Sequence, residues 1–561
     1  MMPTPSARSR VGRSLTLSLL GLFAVVGLVA VRLAVLAHAP ATDFDDAYMY
    51  LRYANHLLAG QGMVWNSGEG AVYGVTSLLH LLVVVLVQSV FSELAPAAVL
   101  QVASGGAAMG FLAALIAIAA LCSRNARPRR NWAFWAAVIV PLVAFREAFA
   151  FHASTGMDTM ISALANAVLV FFTLQLARAP NLARAWWAAL ASLLSVLARP
   201  DNLPCALLCP ALGVLLLAPR PRGPNGLKPL AAFAVIAGGL LATLVLAEWL
   251  WLGSPLPLSF FAKLPFYYGG FAGEFAWNPF LFLQVFALSA WPFVVALILF
   301  ADRAGLRRAA VLLAPALVTM VVLGRFNQIM GHLGRFYFPF LPFFVTAGVL
   351  ELDAWLVRLR TGQAAHAGML WRAGLAVTLT LVGSLSLSAA ADRYSSRAQG
   401  QKLVALDGFH TPEQTPLPEL DSWRSARAIA EMARNAPPHT SFAMSEHGLP
   451  GALAPQTTII DVLGLHDPYF AKHGFSASEL FRRRPDVLWL PHSDHTQMLR
   501  DIFDSDEFWN HYAFYPDAFF HGIALRTDGP SSARLAELLA AQWQKAYPGL
   551  SMADYQAVRG Y

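Results

Sequence analysis

Two adjacent aspartates, Asp45 and Asp46, lie in the stretch Ala-Thr-Asp-Phe-Asp-Asp-Ala-Tyr-Met-Tyr-Leu-Arg-Tyr, directly after the first long apolar run. A membrane protein avoids a carboxylate pair at such a place unless it uses it, so the pair marks a candidate catalytic centre. Neighbouring carboxylates repel, and one of them is expected to be held by a cation, by Arg52, or by backbone amides at the start of the following helix. If a divalent metal is bound, Asp45 or Asp46 holds it. The plainer reading is that Asp43 or Asp45 caps the helix Ala47 to Leu58. Further along, Asp158 and the Arg199/Asp201 pair are placed to hold neighbouring loops together, and Glu248 lies inside an apolar run near its end.

These residues need a scaffold, and composition sets its class. The chain has 561 residues, of which 57% are hydrophobic and only 13% charged, which describes a polytopic membrane protein. A spanning helix takes about 20 apolar residues, and that criterion gives about eleven spans. They are Ser14 to Leu36, Ala97 to Leu121, Trp132 to Val143, Thr159 to Ala177, Trp186 to Leu197, Leu203 to Ala218, Leu230 to Trp251, Phe280 to Phe300, Ala309 to Leu323, Phe336 to Val357 and Ala373 to Ala391. Arg8, Arg10 and Arg13 before the first span place the N-terminus in the cytoplasm, and the span reads as an uncleaved anchor. The later basic clusters, such as Arg124 with Arg127, Arg178 with Arg184, and Arg303 with Arg307, then also fall in the cytoplasm. That register requires Val75 to Phe91 to lie along the membrane surface without crossing it. The loops Asp43 to Thr76, Arg146 to Asp158, Ala198 to Asn202, Gly253 to Pro279 and Gly324 to Arg335 consequently share the outer face, as one active site requires.

Residues 1–391 thus form a membrane domain, with 38–96 as its first outer loop, and 392–561 a soluble extracytoplasmic domain. In the tail, strand-like runs at Thr440 to Met444, Thr457 to Leu463 and Asp486 to Leu490 alternate with helical patterns at Ser422 to Arg434 and Ser532 to Ala546, giving a small α/β layer. Cys122, Cys205 and Cys209 all lie in or beside spans, so the tail has no disulfide. His447, Asp461, His466 and Asp467 read as turn residues. No P-loop, Cys-x-x-Cys, His-Glu-x-x-His or dinucleotide fingerprint occurs. The net charge of +7 is explained by cytoplasmic arginines that set topology and meet anionic lipid, so nucleic acid is not an expected partner.

Several blocks in order resemble a known family. They are Asp45-Asp46-Ala47-Tyr48 with Arg52-Tyr53-Ala54, Gly60 to Asn66, Tyr73-Gly74-Val75-Thr76-Ser77, Thr155-Gly156-Met157-Asp158, Arg199-Pro200-Asp201, Leu256-Pro257 with Ala262-Lys263, Gly334-Arg335-Phe336 ahead of Pro339, and Ile460-Asp461 with Gly464-Leu465. Together they resemble GT-C fold membrane glycosyltransferases that take a sugar from a polyprenyl-phosphate donor, most of all the arabinofuranosyltransferases of the bacterial cell envelope. The resemblance implies a GT-C transmembrane domain in the bacterial inner membrane, and a polyprenyl-phosphate sugar and a glycan or glycoprotein acceptor as partners beside membrane lipids. It implies that Asp45 or Asp46 is the base that deprotonates the acceptor hydroxyl. It further implies that the donor phosphate is held by Arg335 first, Lys263 second, and His332 and Arg325 behind them. Arg52, Tyr53, Trp65, Asn66, Tyr73, Thr76, Asp158, Arg199, Asp201 and Glu248 would line or support the site. Trp65, Tyr73, Tyr267, Tyr268 and Trp277 read as interfacial belt residues more than as sugar platforms. Three departures weaken donor-sugar fidelity. Gly70 to Val72 stand where relatives often carry an acidic residue, Leu78 stands where they often carry Pro, and Asp158 and Asp201 replace the more usual Glu.

Overall fold

The computed structural model describes residues 44–122, 128–218, 227–263, 279–324, 328, 331–361, 374–386, 420–492 and 495–553. Among these, seven helices are long and apolar enough to cross a membrane: Pro96–Cys122, Thr159–Arg178, Pro200–Leu217, Lys228–Leu252, Phe282–Phe300, Arg303–Leu323 and His332–Leu359. An eighth forms if Trp132–Ala144 and Glu147–Ser154, bent by 81° at their junction, count as one span. Leu182–Ala198 and Gly374–Ser386 fall where further spans are expected but are shorter, and the expected first span lies outside the described residues. The chain is an α-helical multi-pass membrane protein with a C-terminal α/β layer. Leu78–Val90, at 13 residues, is too short to cross, as the register requires, and exposes Leu82, Leu86 and Val90.

Thr159–Arg178 and His332–Leu359 form the bundle's centre, and Lys228–Leu252 exposes most of its apolar surface. Polar groups cross-link the centre. Asn166 donates to the Pro339 carbonyl at 2.9 Å and the Asn202 side chain at 3.1 Å, and accepts from Ser195 at 2.7 Å. Such bonds lock helices in register where water cannot compete. They fix the turn that carries Arg199 and Asp201.

The two ends of the bundle differ chemically. At one end Arg178 donates to the Leu121 and Cys122 carbonyls, Arg308 pairs with Glu351, and Arg358 pairs with Asp302. At the other end are Asp158, Arg199, Lys263 and Arg335. Arg178, Arg308 and Arg358, from the basic clusters of the sequence, thus share the end opposite Asp158, Arg199, Lys263 and Arg335.

The tail forms a five-stranded sheet of order β2-β1-β3-β5-β4, with β1 Ser441–Met444, β2 Thr458–Asp461, β3 Val487–Trp489, β4 Tyr512–Tyr515 and β5 Ile523–Arg526. β1 pairs in parallel with β2 and β3, while β5 is antiparallel to β3 and β4. The first three strands fall inside the sequence-derived runs; β4 and β5 do not, and β4 follows the helix Asp506–His511 with no Gly or Pro between to mark its start. One apolar core joins the tail to the first outer loop: Tyr48, Tyr53, Trp65 and Leu81 pack with Met444, Leu449, Ile459 and Trp489. The tail therefore sits on the same end of the bundle as the carboxylate pair.

Candidate active site

The helix Asp45–Leu58 starts at an extended Phe44 without a side-chain cap, so neither aspartate serves as its cap. The structure separates the two. Asp45 accepts from the amides of Gly448 at 2.7 Å and Leu449 at 2.8 Å, at the start of the tail helix Gly448–Leu453. Amides do hold one carboxylate of the pair, but they come from some 400 residues away and not from the helix that follows. Asp46 instead pairs with Arg335 Nη1 at 3.0 Å and lines a cavity.

That cavity, about 50 Å³, is bounded by Tyr50, Thr76, Arg199, Lys263, Arg335 and Phe336. Among the described residues Asp46 is the one carboxylate in its lining. Opposite charges alternate behind it. Arg335 Nη2 lies 3.7 Å from Asp158, Arg199 lies 3.4 Å from Asp158, and Arg199 grips Asp201 through Nε and Nη2, each at 3.0 Å. Burial would raise the Asp158 carboxyl, but Arg199 and Arg335 hold it below the usual carboxylate range. Thr76 donates to Asp158 at 3.1 Å, and Phe336 lies under the cationic groups of Arg199, Lys263 and Arg335 at 5.3, 5.9 and 5.6 Å.

Arg335 owes its aim to a backbone device. Leu333 and Gly334 both adopt positive φ, at 50° and 73°, and a Cβ on Gly334 would come within 3.0 Å of the Phe282 carbonyl. Such conformations are sustained by their surroundings and gather at functional sites. Arg335 is 5% exposed, and its Nε has no hydrogen-bond partner among the described residues. A buried donor of this kind calls for an anion. Lys263 forms no ion pair among the described residues, and burial lowers its ammonium to about 8, against the pull of Asp46.

Other expected site residues belong to the tail joint. Arg52 neutralises neither aspartate. Buried completely, it donates to the carbonyls of Trp65 (2.6 Å), Gly451 (2.7 Å), Ala454 (3.1 Å) and Thr457 (2.8 Å) and to Asn66 Oδ1 (2.9 Å). Asn66 also accepts from the Ile459 amide at 2.8 Å and donates to its carbonyl at 3.0 Å, pairing with β2 as a strand would. Trp65 is neither belt nor sugar platform: it is 1% exposed, stacks on His466 at 3.9 Å, and donates to the Ile459 carbonyl. Tyr53 meets His466 Nδ1 at 3.1 Å. Tyr73 leaves the belt as well, donating to Glu248 at 2.9 Å.

His332 is exposed, sets its ring edge-on to Phe44, and is not in the cavity lining. Arg325, Tyr267, Tyr268 and Trp277 lie outside the described residues. Asp45 and Asp46 do not share a coordination site: Asp45 turns to the tail amides of Gly448 and Leu449, while Asp46 pairs with Arg335 in the cavity. Sequence reasoning missed Tyr50, Phe336, Ser259 and Leu465 in the lining. Phe336 and Leu465 left a trace, since both stand in the sequence blocks that carry the resemblance.

No protein-family model and no curated protein matches the chain. Among solved structures, ArnT from Cupriavidus metallidurans bound to undecaprenyl phosphate aligns at 14% identity and a TM-score of 0.47, over 94% of this chain and 100% of that one. The archaeal oligosaccharyltransferase AglB from Archaeoglobus fulgidus, in complex with an inhibitory peptide and a dolichol-phosphate, aligns at 12% identity and a TM-score of 0.47, over 90% of this chain and 75% of that one. An Archaeoglobus fulgidus oligosaccharyltransferase in complex with zinc and sulfate aligns at 15% identity and 0.38, over 74% and 58%.

Proposed function

We propose that the protein is a GT-C membrane glycosyltransferase of the bacterial inner membrane, with the N-terminus cytoplasmic and the 392–561 tail periplasmic. It would transfer a sugar, D-arabinofuranose in the first instance, from a polyprenyl-phosphate donor to an envelope glycan or glycoprotein. One observation carries the reading. A single lining carboxylate, Asp46, faces a cavity whose other walls hold Arg335, with an unpartnered buried Nε, and Lys263, with no ion pair among the described residues.

A donor phosphate entering beside Arg335 takes the guanidinium as its partner, leaving the Asp46 carboxylate free to accept a proton. The acceptor hydroxyl gives that proton to Asp46, and its oxygen bonds to the anomeric carbon. The bond from that carbon to the phosphate oxygen breaks, and the lipid phosphate leaves with the electron pair, its charge met by Arg335 and Lys263. One carboxylate in the lining supports single displacement with inversion, since retention by double displacement uses a second carboxylate as well.

The test is transfer of radiolabelled arabinofuranose from synthetic polyprenyl phosphate to a short glycan by the purified chain. Release of polyprenyl phosphate only from hexose or aminopentose donors would keep the chemistry and change the sugar. Silence with every donor would count against the reading.

Lys263 supplies a pH signature. Its ammonium binds phosphate and its free amine does not, and the amine takes over as pH rises through about 8. Donor KM is therefore expected to climb between pH 7 and 9. In Lys263→Arg, which stays charged, the climb should be absent. Equal profiles for the two proteins would remove Lys263 from the phosphate site.

A further inference from the structure

The tail contains a second constellation, unrelated to the proposed transfer chemistry. His447 follows β1, Asp461 ends β2 and His466 lies in the turn beyond it. Because β1 and β2 are parallel neighbours, both chain exits fall on the same edge of the sheet, where α/β layers bind their ligands. All three side chains are buried, at 0%, 0% and 2% exposure, and their donor atoms lie within 4.8 Å of one another. They are not the surface turn residues that the sequence suggested.

Arg52 approaches the cluster only from behind the Trp65 ring that stacks on His466. Asp461 accepts from the Leu463 amide at 2.8 Å and the His466 amide at 2.6 Å, and no Arg or Lys pairs with it among the described residues. His447 Nδ1 lies 2.7 Å from the Ser445 carbonyl, which sets that nitrogen as the donor and leaves Nε2 with a bare lone pair. The Nε2 atoms of both His447 and His466 are buried without a hydrogen-bond partner. The His466 ring is clamped between the Trp65 face and the Tyr53 hydroxyl, as outer partners clamp a ligand ring.

We propose that His447, Asp461 and His466 bind one zinc(II) ion. Two imidazoles and a carboxylate suit zinc, whereas magnesium and calcium take oxygen ligands. Tetrahedral bonds of about 2.0–2.2 Å put ligand atoms about 3.4 Å apart, so the cluster closes with movements of about an ångström. Water completes the fourth position. The ion fastens two turns that roof the cavity: one holds Asp45 through the Gly448 and Leu449 amides, and the other contributes Leu465 to the lining. Its role is to brace the joint between tail and membrane domain, with the donor site downstream of it.

The full-length protein in detergent, stripped with chelator and dialysed against zinc(II), is expected to retain one zinc per chain by elemental analysis. The double variant His447→Gln/His466→Gln should retain none. Because that variant removes two core side chains, Asp461→Asn is read separately by competition with a chromophoric chelator, with a Kd at least about tenfold higher expected. Zinc should raise the unfolding temperature of wild type and leave the double variant unmoved. Substoichiometric zinc on wild type, one zinc persisting on the double variant, or an unchanged Kd in Asp461→Asn would each overturn the assignment.

Discussion

Asp46→Asn is expected to lower kcat for sugar transfer by about 10²–10⁴-fold, the range a positioned general base supplies. The amide keeps the size of the side chain but cannot take the acceptor's proton. Donor KM should change little, because the phosphate is met by Arg335 and Lys263. Asp45→Asn makes the decisive contrast. Its side chain accepts two tail amides, and an amide group in its place sets an N–H against an N–H. Losing a charge-assisted bond costs about 1.5–3 kcal/mol, so this variant should unfold earlier while its folded fraction keeps kcat within a few-fold. A pre-steady-state measurement of transfer per folded enzyme, beside a melting curve, separates the two. Equal kcat losses in both variants would mean that the pair acts as a unit and that the division of labour is wrong.

Arg52→Ala should give the largest loss of stability, about 3–5 kcal/mol. All five hydrogen bonds from Arg52 end on groups at the tail joint, three of them on the carbonyls of Gly451, Ala454 and Thr457. Truncation leaves those carbonyls buried and unpaired, and also removes the guanidinium that lies 4.7 Å over the Trp65 ring. Arg52→Lys should recover only part of the loss, since an ammonium has three donors and no planar fork. Limited proteolysis should cut the tail early in both variants, and in Arg52→Ala first. A melting temperature for Arg52→Ala within the error of wild type would show that the joint does not depend on this residue.

The helical spans were legible because each is a local property: a run of apolar residues long enough to cross lipid must be helical to satisfy its own backbone. Basic clusters give the loops an expected facing, and that register needs Leu78–Val90 not to span, in keeping with its 13 residues. The first three tail strands fell inside strand-like runs, while Tyr512–Tyr515, which continues from the helix Asp506–His511 without a Gly or Pro between, and Ile523–Arg526 went unmarked.

The site divides the same way. Asp46, with Asp45 beside it, Arg335 and Lys263 could be nominated through the resemblance of the sequence blocks that contain them. Their neighbours could not be sorted. Arg52, Trp65 and Asn66 look like site residues in the sequence, and they are fasteners of a tail that begins hundreds of residues later. No local pattern encodes a partner so distant, because hydrogen bonds between remote segments depend on where the chain returns. His447 and His466 read as turn residues for the same reason, since burial there is imposed by Trp65 and Tyr53 from the other end of the chain.

By itself the sequence determined a multi-pass helical protein with its chemistry gathered at one end of the bundle, since hydrophobic length and charge asymmetry are written along the chain. Only the tertiary structure decided which aspartate of the pair faces the cavity. Residues 45 and 46 differ by about 100° around a helix, and it is the docked tail, through the amides of Gly448 and Leu449, that occupies one direction and leaves the other open.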